Sequence, residues 1–148
     1  MFYALATIAM AVVLAVASVL IHYECLRFLD RIIERLGPHR RKLIATMIGL
    51  LMAHTAEIWF YAGAYTLLHQ FPAVGAIHMD VTNGGLHLLD AVYYSAMVYT
   101  TVGFGDMLPR GGLRLITATE ALVGLSLITW SASFTYFQMQ AVFGQDQT

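Results

Sequence analysis

Three long apolar stretches constrain this chain more than any other feature of its sequence. Phe2 to Ile21 carries no charge over about twenty residues, the length that a membrane-spanning helix needs, and residues 43–68 and 113–138 form two further long stretches. Because the bilayer core holds no water to hydrogen bond the backbone, such stretches cross it as helices. Of the 148 residues, 59% are hydrophobic and 11% are charged. We therefore expect an all-α membrane protein with three transmembrane helices.

The first apolar stretch has a second interpretation as a cleaved signal peptide, with Ala15-Val16-Ala17 as a small-residue cleavage site. A signal peptide begins with a positively charged region, which this stretch lacks, so a retained helix is the preferred interpretation. The stretch also lacks the row of arginines that voltage sensing requires. No voltage sensor of the usual kind is expected.

Residues 22–36 interleave charged and apolar side chains at helical spacing. The pattern predicts an amphipathic helix that lies at the cytoplasmic membrane surface and ends at Gly37-Pro38, because proline disfavours a helical conformation in the residue before it. The basic run His39 to Lys42 follows, and we expect it to face water or lipid headgroups and not nucleic acid. This divides the chain into an N-terminal helix with its linker, residues 1–42, and a second unit, residues 43–148. The single cysteine, Cys25, excludes an internal disulfide.

Two glycines at alternate positions mark the stretch Thr100-Thr101-Val102-Gly103-Phe104-Gly105-Asp106. Glycine adopts backbone conformations that are closed to residues with a side chain, so several successive carbonyls can turn to one side. The preceding segment, Asp90 to Thr100, is apolar and aromatic, and its first residue is a carboxylate that favours the positive end of a helix dipole. At about eleven residues it is too short to cross a bilayer. We predict a re-entrant helix followed by an irregular loop, in preference to a plain glycine-rich turn between two spans.

The segment Leu89-Asp90-Ala91-Val92-Tyr93-Tyr94-Ser95, the Thr100–Asp106 stretch and Pro109 together resemble the pore helix and filter of the potassium channel superfamily. The resemblance implies that residues 43–148 form a pore domain with an outer helix, a pore helix, a selectivity-filter loop and an inner helix, four copies of which surround one axis. It implies that ions bind along the filter and that neighbouring residues hold the filter in place. The implied K⁺-coordinating residues are Thr101, Val102, Gly103 and Phe104, with Gly105 completing the ion-binding loop, and the implied supporting residues are Thr100, Asp106, Tyr93 and Tyr94.

The sequence departs from that family's pattern at two positions. Phe104 stands where relatives carry a tyrosine whose hydroxyl is braced by an aromatic residue near Tyr94, and Met97 stands where some relatives place a carboxylate behind the filter. Both departures leave open what holds Asp106. The hydroxyls of Tyr93 and Tyr94 are the two candidates.

Two acidic residues inside predicted spans are candidates for gating, because a membrane-embedded carboxylate must face protein or water. Glu57 lies three residues after His54 on nearly the same helix face, which is explained either by a proton-sensing pair or by an interhelical hydrogen bond. Glu120 is the second acidic residue, and protonation of either one is the expected trigger. Gly124 resembles the hinge glycine of simple bacterial potassium channels but is also explained as a helix-packing glycine.

The expected function is passive, selective conduction of K⁺ by a homotetramer, in which three identical subunits and the lipid bilayer are the partners. No catalytic motif, cofactor site, small-molecule substrate site or nucleic-acid site is predicted, and metal binding by His69, His78 and His87 is disfavoured because their spacing matches no known site. The alternatives are a less selective cation channel and a non-conducting accessory subunit. We expect an integral protein of a bacterial or archaeal inner membrane.

The distribution of basic residues predicts the topology. Six of the eight Lys and Arg residues lie between Arg27 and Lys42, and such an excess marks the cytoplasmic side, so the N-terminus is expected outside and the C-terminus in the cytoplasm. In a Cys25→Ser background, Arg41→Cys should react with a membrane-impermeant thiol reagent only after permeabilisation, whereas Gln70→Cys should react in intact cells. Labelling of Arg41→Cys in intact cells would reverse the assignment.

Overall fold

The computed structural model of the protein describes residues 2–37, 39–79 and 86–143, in which four helices and two short strands form. In chain order the elements are α1 (Phe2–Arg35), α2 (His39–Leu68), β1 (Ile77–Met79), α3 (Leu88–Tyr99), β2 (Met107–Pro109) and α4 (Leu113–Phe143). Helices α1, α2 and α4 are long and apolar enough to cross a membrane, which confirms the prediction of an all-α membrane protein with three spans. Helix α3 is the short helix expected before the glycine-containing stretch.

Helix α1 corrects the prediction of a separate surface helix over residues 22–36. It continues without a break for 34 residues, about 50 Å at 1.5 Å per residue, so the charged half continues the first helix instead of forming a separate one. The cause is a stripe of buried residues at a spacing of three or four that runs through both halves and packs against α2 and α4. Its members from Thr7 onward are Thr7, Ala11, Leu14, Ser18, His22, Leu26, Leu29 and Ile33.

The helix boundaries differ from the sequence predictions by a few residues. Helix α1 ends at Arg35, two residues before Gly37, while Pro38 lies outside the described residues. Helix α2 begins at His39, so the basic run forms its first turn instead of a loop. Lys and Arg are good helix formers, and no glycine or proline separates them from the apolar part of the span. Helix α4 extends five residues beyond the predicted end at Gln138, to Phe143.

Two short strands in the connecting loops were not predicted. Strand β1 pairs antiparallel with β2, so that Ile77 lies opposite Pro109 and Met79 opposite Met107. Two backbone hydrogen bonds extend the contact, from the Arg110 N–H to the Ala76 carbonyl at 2.8 Å and from the Gly112 N–H to the Val74 carbonyl at 2.7 Å. The loop after α2 therefore holds the chain that leaves Asp106. Residues 80–85, between β1 and α3, lie outside the described residues.

Helix α3 is held between α2 and α4 by buried side chains. The core that surrounds it includes Tyr61 and Tyr65 of α2, Ala91 and Tyr94 of α3, and Leu113 and Ile116 of α4. At its start, the His87 backbone N–H donates to the Asp90 carboxylate at 3.2 Å, which agrees with the predicted acidic residue in the first turn. A helix too short to span is thus fixed by its neighbours.

A buried hydrogen-bonded group around Glu120 links α3 to α2 and α4. The Glu120 carboxyl lies 2.5 Å from the Ser95 hydroxyl on one oxygen and 2.5 Å from the Tyr65 hydroxyl on the other. Ser95 also lies 3.0 Å from the Ile58 carbonyl, which only accepts hydrogen bonds. Because a serine hydroxyl has one hydrogen, both Ser95 contacts are satisfied together when Glu120 donates to Ser95 and Ser95 donates to Ile58. The geometry therefore matches a neutral carboxylic acid at Glu120.

Replacement of Glu120 tests this group. Glu120→Ala removes the carboxyl that joins Ser95 to Tyr65, although Ser95 keeps the Ile58 carbonyl and Tyr65 keeps the Thr117 hydroxyl as partners. The lost hydrogen bonds should lower the free energy of unfolding by about 1–3 kcal/mol. Glu120→Gln supplies an N–H toward Ser95 and a carbonyl toward Tyr65, so it should retain most of the stability. Denaturant unfolding of the purified variants in detergent measures both. Equal destabilisation by Ala and Gln would show that the neutral-acid arrangement is wrong.

Gly124 allows α4 to approach the end of α3. A Cβ atom at this position would overlap the Tyr99 carbonyl group and lie 3.0 Å from Cγ of the Tyr99 ring. This contact supports the helix-packing explanation of Gly124. Gly63 on α2 offers a contrast, since a Cβ atom there would meet nothing within 4 Å.

Gly124→Ala should therefore destabilise the protein by about 1–3 kcal/mol, the usual cost of overpacking, because the Tyr99 backbone must move. Gly63→Ala is the matched control and should be neutral or stabilising by up to about 1 kcal/mol, since alanine favours the helix. Thermal unfolding of both variants in detergent provides the comparison. A neutral Gly124→Ala would contradict the packing role.

Candidate functional site

The Thr100–Asp106 segment leaves the end of α3 and folds back along it. The Thr101 N–H donates to the Val98 carbonyl at 2.9 Å, and the Gly103 N–H donates to the Met97 carbonyl at 3.1 Å. These bonds direct backbone N–H groups toward α3. Among the described residues, no hydrogen bond uses the carbonyls of residues 101–104. The segment thus presents several backbone oxygens that the fold itself does not use.

The backbone of this segment alternates in handedness. Thr101, Gly103 and Gly105 have φ values of 60°, 51° and 84°, whereas Val102 and Phe104 between them do not have positive φ. Alternation of this kind would let successive carbonyls face one side, and that arrangement stays a prediction. Thr101 is the exception among these residues because its side chain makes the left-handed conformation cost on the order of 1–2 kcal/mol. Its hydrogen bond to Val98 holds it there.

Tyr93 is the residue that contacts Asp106. Its hydroxyl lies beside the Asp106 carboxylate, which raises the pKa of Tyr93 above its ordinary value. The Tyr94 hydroxyl instead lies 2.8 Å from the Thr117 hydroxyl of α4. Of the two predicted candidates, Tyr93 therefore supports the segment directly, and Tyr94 fixes α3 to α4. Met97 lies behind the segment with Phe104 and Asp106, around a cavity of about 30 Å³.

The other side of the segment is open. Thr100 to Asp106 are all exposed in the single chain, including two large apolar side chains, Val102 at 53% and Phe104 at 71% exposure. Phe104 carries no hydroxyl that could bond to α3. This side of the segment is therefore uncovered in the single chain.

The two candidate carboxylates for gating lie in separate buried groups. Glu120 belongs to the Ser95 and Tyr65 group described above, behind the middle of α3. Glu57 bonds the Tyr99 hydroxyl at the end of α3, immediately before the Thr100–Asp106 segment. Both carboxylates are fully buried and face protein, as predicted for acidic residues inside a span. Their control of opening stays a prediction.

Glu57 is part of a polar cluster, and only some of its members were identified from the sequence. The His22 Nδ1 atom lies 2.8 Å from Glu57 Oε1, and the His54 Nδ1 atom lies 3.3 Å from Glu57 Oε2. The Ser131 hydroxyl of α4 lies near Nε2 of both rings, at 3.2 Å from His22 and 3.0 Å from His54. We call His22, His54, Glu57, Tyr99 and Ser131 the histidine–glutamate cluster. The sequence placed His54 and Glu57 on nearly the same helix face and left open whether they pair, whereas His22, Tyr99 and Ser131 were missed as members of the cluster.

A signal for His22 was present in the sequence. It lies four residues after Ser18 and four before Leu26, in register with the buried stripe of α1. Because the sequence predicted that the spanning helix ends at this residue, the buried stripe was not followed through His22. By contrast, His69, His78 and His87 do not form a ligand group, since among the described residues the group of three that could hold a metal ion is His22, His54 and Glu57.

Comparison with known proteins agrees with this architecture. A family model described as "Ion channel" matches residues 53–140, which include the second half of α2, all of α3, the Thr100–Asp106 segment and most of α4. An uncharacterised membrane protein of Bacillus subtilis (strain 168), YdjJ, is 41% identical over 111 residues, which cover 72% of this chain and 31% of that protein. The chain thus spans about a third of the length of this relative. No solved structure matched the chain. Because the family match covers more than half of the sequence, the protein belongs to the ion-channel family, which is not a family of enzymes.

Proposed function

We propose that the protein conducts K⁺ selectively across a membrane as a homotetramer. The observation that carries this proposal is the row of unbonded carbonyls at residues 101–104, turned by alternating backbone handedness at Thr101, Gly103 and Gly105. Dehydrated K⁺ binds to rings of backbone carbonyl oxygens that replace its water. K⁺ is the permeant ligand here, and the carbonyls of Thr101, Val102, Gly103 and Phe104 are its proposed ligands.

Four copies are proposed because one segment cannot surround an ion. Closed rotational symmetry would place four identical segments around one axis, so that each carbonyl becomes a ring of four oxygens. The exposure of Val102 and Phe104 supports this assembly, since neighbouring subunits would cover apolar side chains that the single chain leaves open. The assembly requires no further chain, cofactor or small-molecule substrate.

The helices around the segment suit a cation pathway. Helix α3 ends directly before the segment, and the partial negative charge at a helix C-terminus favours a cation near it. On α4, Leu125 and Ile128 are 53% and 38% exposed and Ala132 is also exposed, so this face of the inner helix is available to line a cavity. The bacterial relative supports a bacterial inner membrane as the location.

A less selective cation channel is the second candidate, and a specific observation favours it. Phe104 is 71% exposed and has no hydroxyl to bond to α3, so the outer part of the segment is braced through Asp106 and Tyr93 instead. A weaker brace lets the carbonyl rings widen, which reduces discrimination between K⁺ and Na⁺. A non-conducting accessory subunit is the third possibility, and it predicts no flux at all.

Reversal potentials in planar bilayers, with K⁺ opposed by Na⁺, test the proposal. The wild-type protein should reverse near the K⁺ equilibrium potential. Phe104→Asp should retain current but lose K⁺ preference by about tenfold or more, equivalent to about 1.4 kcal/mol, because fewer contiguous carbonyl sites remain. Gly103→Val should abolish current by denying the backbone its left-handed conformation.

Phe104→Tyr is the matched control and should keep K⁺ preference. A wild-type reversal potential near zero would favour the less selective channel, and absence of current would favour the accessory subunit. An unchanged reversal potential in Phe104→Asp would show that residues 101–105 are not the selectivity filter.

A further inference from the structure

We propose that His22, His54 and Glu57 form a binding site for a divalent transition-metal ion of the zinc class inside the helix bundle. The site is separate from the carbonyls proposed for K⁺, and it does not depend on the ion selectivity of the pore. Each of its ligands comes from the part of the chain that the structure describes.

The spacing of the ligand atoms fits such an ion. The two Nδ1 atoms face different oxygens of one carboxylate, at 2.8 Å for His22 and 3.3 Å for His54, and the three ligand atoms lie within 4.8 Å of one another. Zn²⁺ binds nitrogen and oxygen at about 2.0–2.2 Å, so its tetrahedral ligands lie roughly 3.3–3.5 Å apart. Small side-chain adjustments therefore suffice to bring all three onto one ion.

Ser131 provides the outer contacts that metal-bound histidines require. A ligating imidazole usually donates its other N–H to a protein acceptor, which fixes the tautomer. Here both Nε2 atoms lie next to one acceptor, the Ser131 hydroxyl, at 3.2 and 3.0 Å. A hydroxyl oxygen has two lone pairs and can accept from both rings. This directs both Nδ1 lone pairs toward Glu57, where a metal would lie, with the Tyr99 hydroxyl next to His54 Nδ1.

The chemistry of the ligands selects the class of ion. Two imidazole nitrogens and one carboxylate suit Zn²⁺ and its neighbours in the first transition row, whereas Mg²⁺ and Ca²⁺ prefer sites made of oxygen alone. The Tyr99 hydroxyl lies 2.9 Å from His54 Nδ1 and bonds Glu57, so it is placed to act as a fourth ligand or to orient the carboxylate. A bound cation also compensates a carboxylate that is fully buried in a membrane span.

The site is buried but has an entry. His22 and Glu57 are inaccessible, while the His54 side chain is 17% exposed. His54, Tyr99 and Ser131 line a cavity of about 420 Å³ that also borders Thr100. An ion would therefore reach the cluster from this cavity and would connect α1 and α2 directly, with contacts to the end of α3 and to α4.

The test measures metal binding by the purified full-length chain, prepared without a histidine tag. After incubation with Zn²⁺ and gel filtration, elemental analysis should find one Zn²⁺ per chain. Co²⁺ in the same site should show the strong visible absorption of a four-coordinate ion, and Zn²⁺ should displace it. Stoichiometry well below one, or a weak octahedral Co²⁺ spectrum, in the wild-type protein would overturn the proposal without any variant.

Variants assign the ligands. His22→Gln and His54→Gln should lose the Co²⁺ spectrum, while Ser131→Ala should keep the stoichiometry and weaken binding about tenfold, since it removes only an outer contact. Glu120→Gln is the matched control, because it alters another buried membrane carboxylate that has no histidine neighbour, and it should bind normally. Gel filtration and helical circular dichroism identify variants that fail to fold. Full binding by a folded His22→Gln, His54→Gln double variant would overturn the assignment.

Discussion

The structure depends on one constraint: a helix of twelve residues must stay inside a membrane protein without crossing the membrane. Helix α3 cannot be held by lipid on both sides, and the irregular segment that follows it carries backbone groups that lipid cannot satisfy. Buried polar contacts hold α3 at two positions along its length. Glu120 binds Ser95 near the middle of α3, and Glu57 binds Tyr99 at its end.

These two anchors explain why acidic residues occur inside spans at all. In a low-dielectric interior a hydrogen bond is strong and an unpaired polar group is costly, so each carboxyl requires a full set of partners. Tyr65 and Ser95 complete the first set, and His22, His54 and Tyr99 complete the second. Aliphatic packing alone would allow α3 to slide or rotate. Directional bonds fix its height and rotation, and with them the position of Thr100.

Helix α1 lies outside the region that matches the ion-channel family, yet it is part of the same core. Ala11 and Leu14 join the cluster around α3, and His22 reaches the carboxylate that binds Tyr99. On the opposite side, the β1–β2 pair and Tyr93 hold the chain after the Thr100–Asp106 segment. The segment is therefore supported at both ends, from α1 and α2 at one and from the loop at the other.

The sequence by itself determined the three spans, the short helix and the loop with alternating glycines. These features follow from local rules: uncharged length, a helix too short for the bilayer, and the backbone freedom of Gly103 and Gly105. The resemblance of residues 89–109 to potassium channels likewise rests on contiguous residues. Because the spans, the short helix and the loop depend mainly on neighbouring residues, the structure shows each of them where the sequence predicted it.

Only the tertiary structure decided which distant residues meet. His22 and Glu57 are 35 positions apart, and Ser131 and His22 are 109 apart, so their contact depends on how three helices rotate and cross. The choice of Tyr93 over Tyr94 for Asp106 and the three-residue strands depend in the same way on packing. The continuity of α1 also depends on packing. The charges of residues 24–35 predicted a surface helix, but the apolar stripe of this segment packs against α2 and α4. The local sequence pattern determines the secondary structure of each segment, and packing between helices determines which distant residues are in contact.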